Sequence, residues 1–206
     1  MSPKFTNSVL IDNGADAAIF DPWGHVADWE KLLKERGLTL RAIYCTHGHP
    51  DHIAAAPALS AATGAPWRLA AADFPQVELC RGHISPYGLP EIDAALPRPE
   101  ELPAGKTEIL PGLSAEVIAT PGHTPGGLCF YFDAADGRRF LVSGDTLFYN
   151  TVGRTDFPGG NESDMRASVR LLREYGFPGD TMVIPGHGRT GSFSEAEKSN
   201  KFLQSW

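Results

Sequence analysis

The chain has 206 residues, of which 42% are hydrophobic and 21% are charged, and its formal net charge at neutral pH is −7. This length and composition predict a single globular domain over residues 1–206, with enough apolar residues for a sizeable core. The acidic balance argues against a dedicated binder of nucleic acid or of an anionic membrane surface.

The opening residues, MSPKFTNSVLID, contain no apolar run or cleavage pattern of a signal peptide, and no stretch approaches the length of a membrane span. The three cysteines, Cys45, Cys80 and Cys129, are odd in number and far apart, which favours a reducing compartment over a disulfide framework. Cys45 and Cys129 lie in apolar, strand-like runs and are expected in the core. We therefore expect a cytoplasmic protein.

Strands and helices alternate in the first third of the chain. The predicted segments are a hairpin over 7–21, a helix over 26–36, a buried strand over 40–45, the loop THGHPDH at 46–52 and a helix over 53–64. The turn pair Asn13-Gly14 marks the hairpin, and Gly37 and Gly64 end the two helices. This alternation is typical of an α/β protein.

The proline-rich residues 73–104 show little periodicity, so we interpret them as a long surface connection between two halves that also borders a pocket. The second half predicts strands over 115–119, 127–132, 139–143 and 181–185, and helices over 162–175 and 194–203. Two β-rich halves with helices suggest two packed sheets covered on the outside by helices.

The loop THGHPDH concentrates three of the seven histidines in seven positions. In an extended loop, residues two apart point the same way, so His47 and His49 are able to share one metal ion. Asp51 and His52 lie at the turn into a helix and aim at a neighbouring point. Further candidate ligands follow later strands in glycine-rich turns: His123 in TPGHTPGG, Asp145 in SGDTLF and His187 in IPGHG.

These motifs, in this order, resemble those of the metallo-β-lactamase superfamily, and in particular its glyoxalase II-like hydrolases. The stretch GRTDFPGG at 153–160 is similar to compact, single-domain glyoxalase II-type proteins and also to persulfide dioxygenases. The resemblance extends from about residue 7 to residue 204. It implies an α/β (α+β) fold, a four-layer αββα sandwich with the metal site at one edge of the paired sheets.

The resemblance also implies a complete ligand set for two divalent metal ions. The first ion would be held by His47, His49 and His123, the second by Asp51, His52 and His187, and Asp145 would bridge them. Nitrogen and oxygen donors without sulfur suit zinc first and also accept iron or manganese. We take the carboxylates Asp51 and Asp145 as the catalytic residues, because two such ions activate a bridging water as hydroxide. β-Lactamases of this fold usually have a cysteine at the position of Asp145, which disfavours antibiotic hydrolysis.

Two features depart from the glyoxalase II pattern. The family commonly continues with two glycines after the aspartate–histidine–isoleucine triplet, whereas here Ile53 is followed by three alanines. Full-length glyoxalase II also carries a helical domain after the last metal histidine that supplies much of the glutathione site. Only 19 residues follow His187, so the identity of the thiol carrier stays open.

A small-molecule thioester is the substrate that we favour. The motifs contain no spare histidine or glutamate that would serve as a strong general acid, and a thiolate, with a parent pKa of about 8.5, departs without one. Arg154 is a candidate for binding a substrate carboxylate, with a salt bridge to Asp156 as the equally supported alternative. Tyr149 and Asn150 are further candidates for the pocket wall.

Other functions remain open at this point. A mononuclear iron persulfide dioxygenase would use only His47, His123 and Asp145, and a lactonase of the same fold is closer in chemistry. Nucleases share the histidine-rich loop, but the acidic charge and the lack of an RNA-binding appendage count against them. The sequence does not fix the oligomeric state.

Overall fold

Two β-sheets form the centre of the structure, a computed structural model that describes residues 5–80 and 95–206. The first sheet has the strand order β1-β2-β3-β4-β5. Its strands are β1 (Val9–Asp12), β2 (Asp16–Phe20), β3 (Thr39–Tyr44), β4 (Trp67–Leu69) and β5 (Glu100–Glu101). Only β1 and β2 pair antiparallel; the neighbours from β2 to β5 are parallel.

The second sheet has the order β11-β10-β9-β8-β7-β6. Its strands are β6 (Gly105–Leu110), β7 (Leu113–Ala119), β8 (Leu128–Asp133), β9 (Arg139–Gly144), β10 (Met182–Pro185) and β11 (Gly191–Ser192). All neighbouring pairs are antiparallel except β9 and β10.

Seven α-helices are present in the described ranges. They are α1 (Val26–Arg36), α2 (Pro50–Ile53), α3 (Ala56–Thr63), α4 (Phe74–Cys80), α5 (Glu162–Glu174), α6 (Phe193–Ser199) and α7 (Lys201–Ser205), and a short 3₁₀ turn (Ala71–Asp73) precedes α4. None of them is long and apolar enough to cross a membrane.

Three apolar clusters show how these elements are layered. Phe20 and Tyr44 of the first sheet pack against Phe130 and Phe132 of the second, which forms the core between the sheets. On the far side of the first sheet, residues of α1, α3 and α4 cover Ile19, Ile43 and Trp67, among others. On the far side of the second sheet, α5, α6 and α7 cover β7, β8 and β9. The layers are thus helix, sheet, sheet and helix, and the predicted αββα sandwich is confirmed.

Two helices predicted as continuous are broken in the structure. The helix predicted over 53–64 is divided into α2 and α3, because Pro57 has no N–H and cannot continue a helix from Ile53. The closing helix predicted over 194–203 is divided at Asn200, whose side chain accepts from Phe202 N–H and so caps α7.

The interpretation of residues 73–104 as a surface connection is wrong at its start. Asp73 is fully buried, residues 74–80 form α4, and Val77 belongs to the core. Residues 81–94, which include His83, lie outside the described residues.

Candidate metal centre

The candidate ligands all lie just beyond strand ends. The loop 46–52 follows β3 of the first sheet, whereas His123, Asp145 and His187 follow β7, β9 and β10 of the second. Asp145 comes directly after Gly144, the last residue of β9. The site therefore lies at an edge to which both sheets contribute, and neither half contains a complete ligand set.

His47, His49 and His123 form the first cluster, with one ligand atom of each residue within 4.8 Å of the others. The Nε2 atom of His47 lies 3.0 Å from Nδ1 of His49. The rings of His49 and His123 are 4.6 Å apart and nearly perpendicular. The three side chains predicted to hold one ion are thus brought together.

Asp51, His52 and His187 form the second cluster, again with ligand atoms within 4.8 Å of one another. Nε2 of His187 lies 3.1 Å from Oδ2 of Asp51 and 3.4 Å from Nε2 of His52. The structure brings this predicted set together as well.

Asp145 stands between the two clusters. Its Oδ2 lies 3.4 Å from Nε2 of His123 in the first cluster and 3.6 Å from Nε2 of His187 in the second. Its Oδ1 lies 3.5 Å from Nε2 of His52. This is the position expected of a carboxylate that bridges two ions.

The donor atoms fit a pair of divalent ions. Two ligands about 2.1 Å from a tetrahedral ion lie roughly 3.4 Å from each other, which is close to the spacings above. Nε2 of His123 and Oδ1 of Asp145 are buried without a hydrogen-bond partner among the described residues. Buried groups of this kind are normally paired, so unpaired polar atoms where the two clusters meet indicate ligands arranged for cations.

Hydrogen bonds at Nδ1, the ring nitrogen that faces away from the site, fix the orientation of four of the five histidines in the two clusters. Nδ1–H of His47 donates to Thr46 Oγ1 (3.1 Å) and that of His52 to Asp21 (2.9 Å). Those of His123 and His187 donate to the backbone carbonyls of Arg154 (2.7 Å) and Phe5 (3.2 Å). Such bonds orient the rings and turn Nε2 toward the site, as is usual around metal-binding histidines.

Residues 1–187 match the sequence profile of the metallo-beta-lactamase superfamily. The chain belongs to the metallo-β-lactamase superfamily. Members of this superfamily of metallo-hydrolases bind divalent metal ions, in agreement with the donor set above. The chain is 33% identical over 199 residues to the hydroxyacylglutathione hydrolase GloC of Haemophilus influenzae, covering 96% of this chain and 92% of that protein.

Two solved superfamily structures are similar over nearly the whole chain. BLEG-1, described as a B3 metallo-beta-lactamase, superposes with a TM-score of 0.83 at 29% identity and covers 100% of this chain and 97% of its own. TTHA1623, solved in a di-iron-bound form, superposes with a TM-score of 0.80 at 31% identity and covers 98% of both chains. The likeness thus includes both sheets and all ligand loops.

Two aspartates that support the ligands were not predicted from the sequence. Asp21 is buried and accepts hydrogen bonds from His52, from Thr46 N–H (2.7 Å) and from the Thr46 hydroxyl (2.8 Å). Asp73 is buried and joins the loops of His47 and His123. Asp21 follows β2 at the same sheet edge as the ligands, and that signal would have found it. Asp73 carries no comparable signal.

The two clusters differ in their electrostatics. Burial, together with the neighbouring histidines, lowers the pKa of His47 well below its usual value and that of His49 to about 4. At His52 burial also acts against the charged ring, but the carboxylates of Asp21 and Asp145 outweigh it and raise the pKa. His47 and His49 therefore offer neutral imidazoles at neutral pH, whereas an ion entering the second cluster displaces a proton from His52.

The carboxylates of Asp51, in the second cluster, and of Asp145, between the clusters, are both ionised. Burial raises the pKa of Asp51, but the hydrogen bond with His187 and the charges of His52 and His187 lower it to about 2. Burial likewise acts against the charged form of Asp145, and the charge of His52 outweighs it, so that this pKa is also lowered. Both aspartates are therefore available as anionic ligands near pH 7.

The candidate substrate-binding residues lie in the segment that follows Asp145 in the sequence. Arg154 is exposed, its Nε donates to Asp156 (2.6 Å) and its guanidinium stacks on Phe157 at 4.0 Å. Tyr149 is half-buried and stacks under the guanidinium of Arg189 at 3.5 Å, and Asn150 is exposed. The alternative of a salt bridge from Arg154 to Asp156 is thus what this structure contains, and its role toward a substrate stays a prediction.

Gly186 and Gly153 permit the close approach of the ligand loops. A Cβ at Gly186 would overlap Oδ1 of Asp145 and the His52 ring, and one at Gly153 would overlap the backbone oxygen of Asp145. Any side chain at either position would push Asp145 away from the histidines, so these two glycines shape the site without taking part in its chemistry.

Proposed function

We propose that this protein is a dinuclear metal-dependent hydrolase of acyl thioesters, of the glyoxalase II type. The observation that carries the proposal is the pair of three-residue clusters meeting at Asp145. The similarity to GloC, whose name describes hydroxyacylglutathione hydrolysis, supports the substrate class. We infer a pair of zinc ions from the nitrogen and oxygen donors; the di-iron form of TTHA1623 makes iron the alternative to test.

The chain's own residues divide the work of binding and orientation. Two bound divalent ions supply an activated water at neutral pH and polarise the substrate carbonyl. His47, His49 and His123 would hold one ion and Asp51, His52 and His187 the other, and Asp145 would contribute to both. Asp21 holds the His52 ring in place through Nδ1. The ring of Phe157 lies 5.8 Å from that of His49 and forms an apolar surface beside the first cluster.

The lack of a free proton donor favours a thioester. Within residues 5–80 and 95–206, the histidine outside the two clusters is His25, which is exposed at the start of α1. Protonation of an amine or alkoxide leaving group would need a positioned acid, whereas a thiolate, with a parent pKa of about 8.5, departs unprotonated. We therefore place Arg154, Tyr149 and Asn150 on the side that receives the thiol carrier.

The decisive measurement is hydrolysis of S-D-lactoylglutathione by the zinc-loaded protein, with metal content determined on the same sample. We expect turnover with two ions per chain, no turnover for His47→Ala, and unchanged turnover for the control His25→Ala. Equal activity of His47→Ala and wild type would contradict the proposal, because the first cluster would then be irrelevant.

Two further assays separate the competing functions. One iron per chain with oxygen uptake on glutathione persulfide, and no thioester hydrolysis, would identify the mononuclear dioxygenase instead. Hydrolysis of nitrocefin faster than of any thioester would assign β-lactams, a class kept in the test by the likeness to BLEG-1. We expect neither result.

A further inference from the structure

Residues 5–8 form a short polar segment that contacts the second cluster from outside the ligand motifs. The backbone carbonyl of Phe5 accepts from Nδ1–H of His187 (3.2 Å), and the Thr6 hydroxyl donates to the backbone carbonyl of Asp51 (2.9 Å). The Ser8 hydroxyl donates to the backbone carbonyl of Asp21 (2.6 Å), the residue that orients His52. The segment thus contacts Asp51 and His187 directly, and it reaches His52 through Asp21.

Asn7 ties the same segment to the loop of His187. Its backbone N–H donates to Gly186 (2.7 Å), and its side-chain amide donates to the carbonyls of Pro185 and Gly188 (2.9 Å each). These bonds surround His187 on both sides in the sequence. They hold the loop against the segment, and with it the ring that completes the second cluster.

The first cluster is supported by other residues. Its histidines are oriented by Thr46 and by the Arg154 carbonyl, and Asp73 joins their loops. Within the described chain, no hydrogen bond of residues 5–8 reaches His47, His49 or His123 directly. Asp21 and Thr46 support both clusters, whereas Thr6 and Asn7 contact only the loops that carry the second cluster.

We propose that residues 5–8 are positioning residues for the second metal ion, and that Thr6 and Asn7 determine whether the site holds one ion or two. The inference rests on the two-ion assignment of the proposed function and adds that the two ions bind with independently tunable affinities. Loss of the segment's hydrogen bonds frees His187 and the Asp51 backbone while the first cluster stays intact, so the second ion binds more weakly and the site holds one ion at lower metal concentrations.

Zinc binding by the metal-free full chain tests this directly, measured by calorimetric titration and by zinc content after dialysis against a weak chelator. Wild type is expected to bind two ions. For Asn7→Ala and Thr6→Val we expect the weaker of the two zinc-binding steps to lose roughly tenfold in affinity, with the tighter step unchanged. A loss of this size is what the removal of one or two hydrogen bonds causes. Thr6→Ser keeps the hydroxyl and should restore wild-type binding.

Two controls separate this role from general destabilisation. Asn13→Ala removes an exposed asparagine that also bonds to backbone, in the hairpin turn away from the site, and should leave both steps unchanged. In a His187→Ala background, which has lost the second cluster, adding Asn7→Ala should change nothing further.

The outcomes distinguish the inference from the proposed function. Two ions bound by wild type and by Asn7→Ala and Thr6→Val with equal affinities would overturn the inference and leave the hydrolase proposal standing. Equal weakening of both steps would also overturn it, because the segment would then act on the fold as a whole. A wild type that binds a single ion under all conditions would overturn both proposals.

Discussion

Asp73 joins two loops that carry the ligands of the first cluster. Its Oδ2 accepts from Gly48 N–H and from the Thr124 hydroxyl (2.8 Å each), and its Oδ1 accepts from Gly126 N–H (2.6 Å). Gly48 lies between His47 and His49, and Thr124 directly follows His123. Burial raises the pKa of Asp73, and the three donated hydrogen bonds oppose that rise. One carboxylate thus sets the distance between the two loops.

Replacing Asp73 with asparagine should therefore damage the fold and the first cluster together. An amide has one acceptor atom and turns an NH₂ group toward a backbone N–H, so at least one buried donor loses its partner. We expect the free energy of unfolding of the metal-free protein to fall by about 2–4 kcal/mol in urea titrations. The tighter zinc-binding step should weaken as well.

The matched control for this residue is Asp136→Asn. Asp136 also accepts from a backbone N–H, that of Arg138, but lies in an exposed turn. A change within about 0.5 kcal/mol is expected there. If Asp73→Asn were as mild as Asp136→Asn, the loops would be held by something other than this carboxylate.

At the scale of elements, the loop 153–160 covers the first cluster. Its backbone is fixed at Arg154, whose carbonyl accepts from His123, and its exposed Phe157 ring stands against His49. The guanidinium of Arg154 is held between Asp156 and Phe157. If Arg154 binds a substrate carboxylate, that carboxylate must compete with Asp156.

This competition gives opposite predictions for two substitutions in the loop. For a thioester with a carboxylate on its thiol side, Arg154→Gln should raise KM about fivefold, as expected for an exposed ion pair worth about 1 kcal/mol. Asp156→Asn should lower KM, because the guanidinium becomes free. Neither should affect a thioester of a neutral thiol, and kcat should be unchanged in steady-state assays. Equal effects on charged and neutral substrates would contradict a role in carboxylate binding.

The metal ligands could be predicted from the sequence, whereas the residues that support them could not. The strand-end motifs predicted which seven side chains meet, because each motif is local and the fold brings strand ends to one edge. The supporting residues could not be predicted in this way. Asp73 bonds to Gly126, 53 positions away, and Asn7 to Pro185, 178 positions away. In the sequence both look like ordinary polar residues, and only the tertiary fold selects their partners.

At the scale of the whole molecule, metal binding and folding are coupled through the meeting of the two sheets. The first sheet supplies the loop of His47 to His52, and the second supplies His123, Asp145 and His187. Without ions, the same groups face one another as titrating charges. Stability therefore depends on pH differently with and without metal.

In the metal-free protein, stability should be greatest near pH 6.5, the ordinary pKa of histidine. Below that value His47 and His49 become protonated in the unfolded chain but stay neutral in the folded protein, because their folded pKa values are lowered. The free energy of unfolding therefore falls from pH 6.5 toward about pH 4. The slope is about 1.4 kcal/mol per pH unit for each proton. Above pH 6.5, His52 and His187, whose folded pKa values are raised, lose their protons and their stabilising charge.

Bound zinc should remove the loss of stability on the alkaline side, because the ions replace those protons and hold the ligands in their deprotonated form. Urea unfolding from pH 4.5 to 8.5 should then show a maximum for the metal-free protein, and for the zinc-loaded one a rise that continues past pH 6.5 and then levels off without a decline. His49→Gln should flatten the acid limb of the metal-free protein by up to one proton, whereas the exposed His25→Gln should leave it unchanged. A metal-free protein whose stability kept rising through pH 8 would contradict the raised pKa values of the second cluster and, with them, the proton that the second ion is expected to displace.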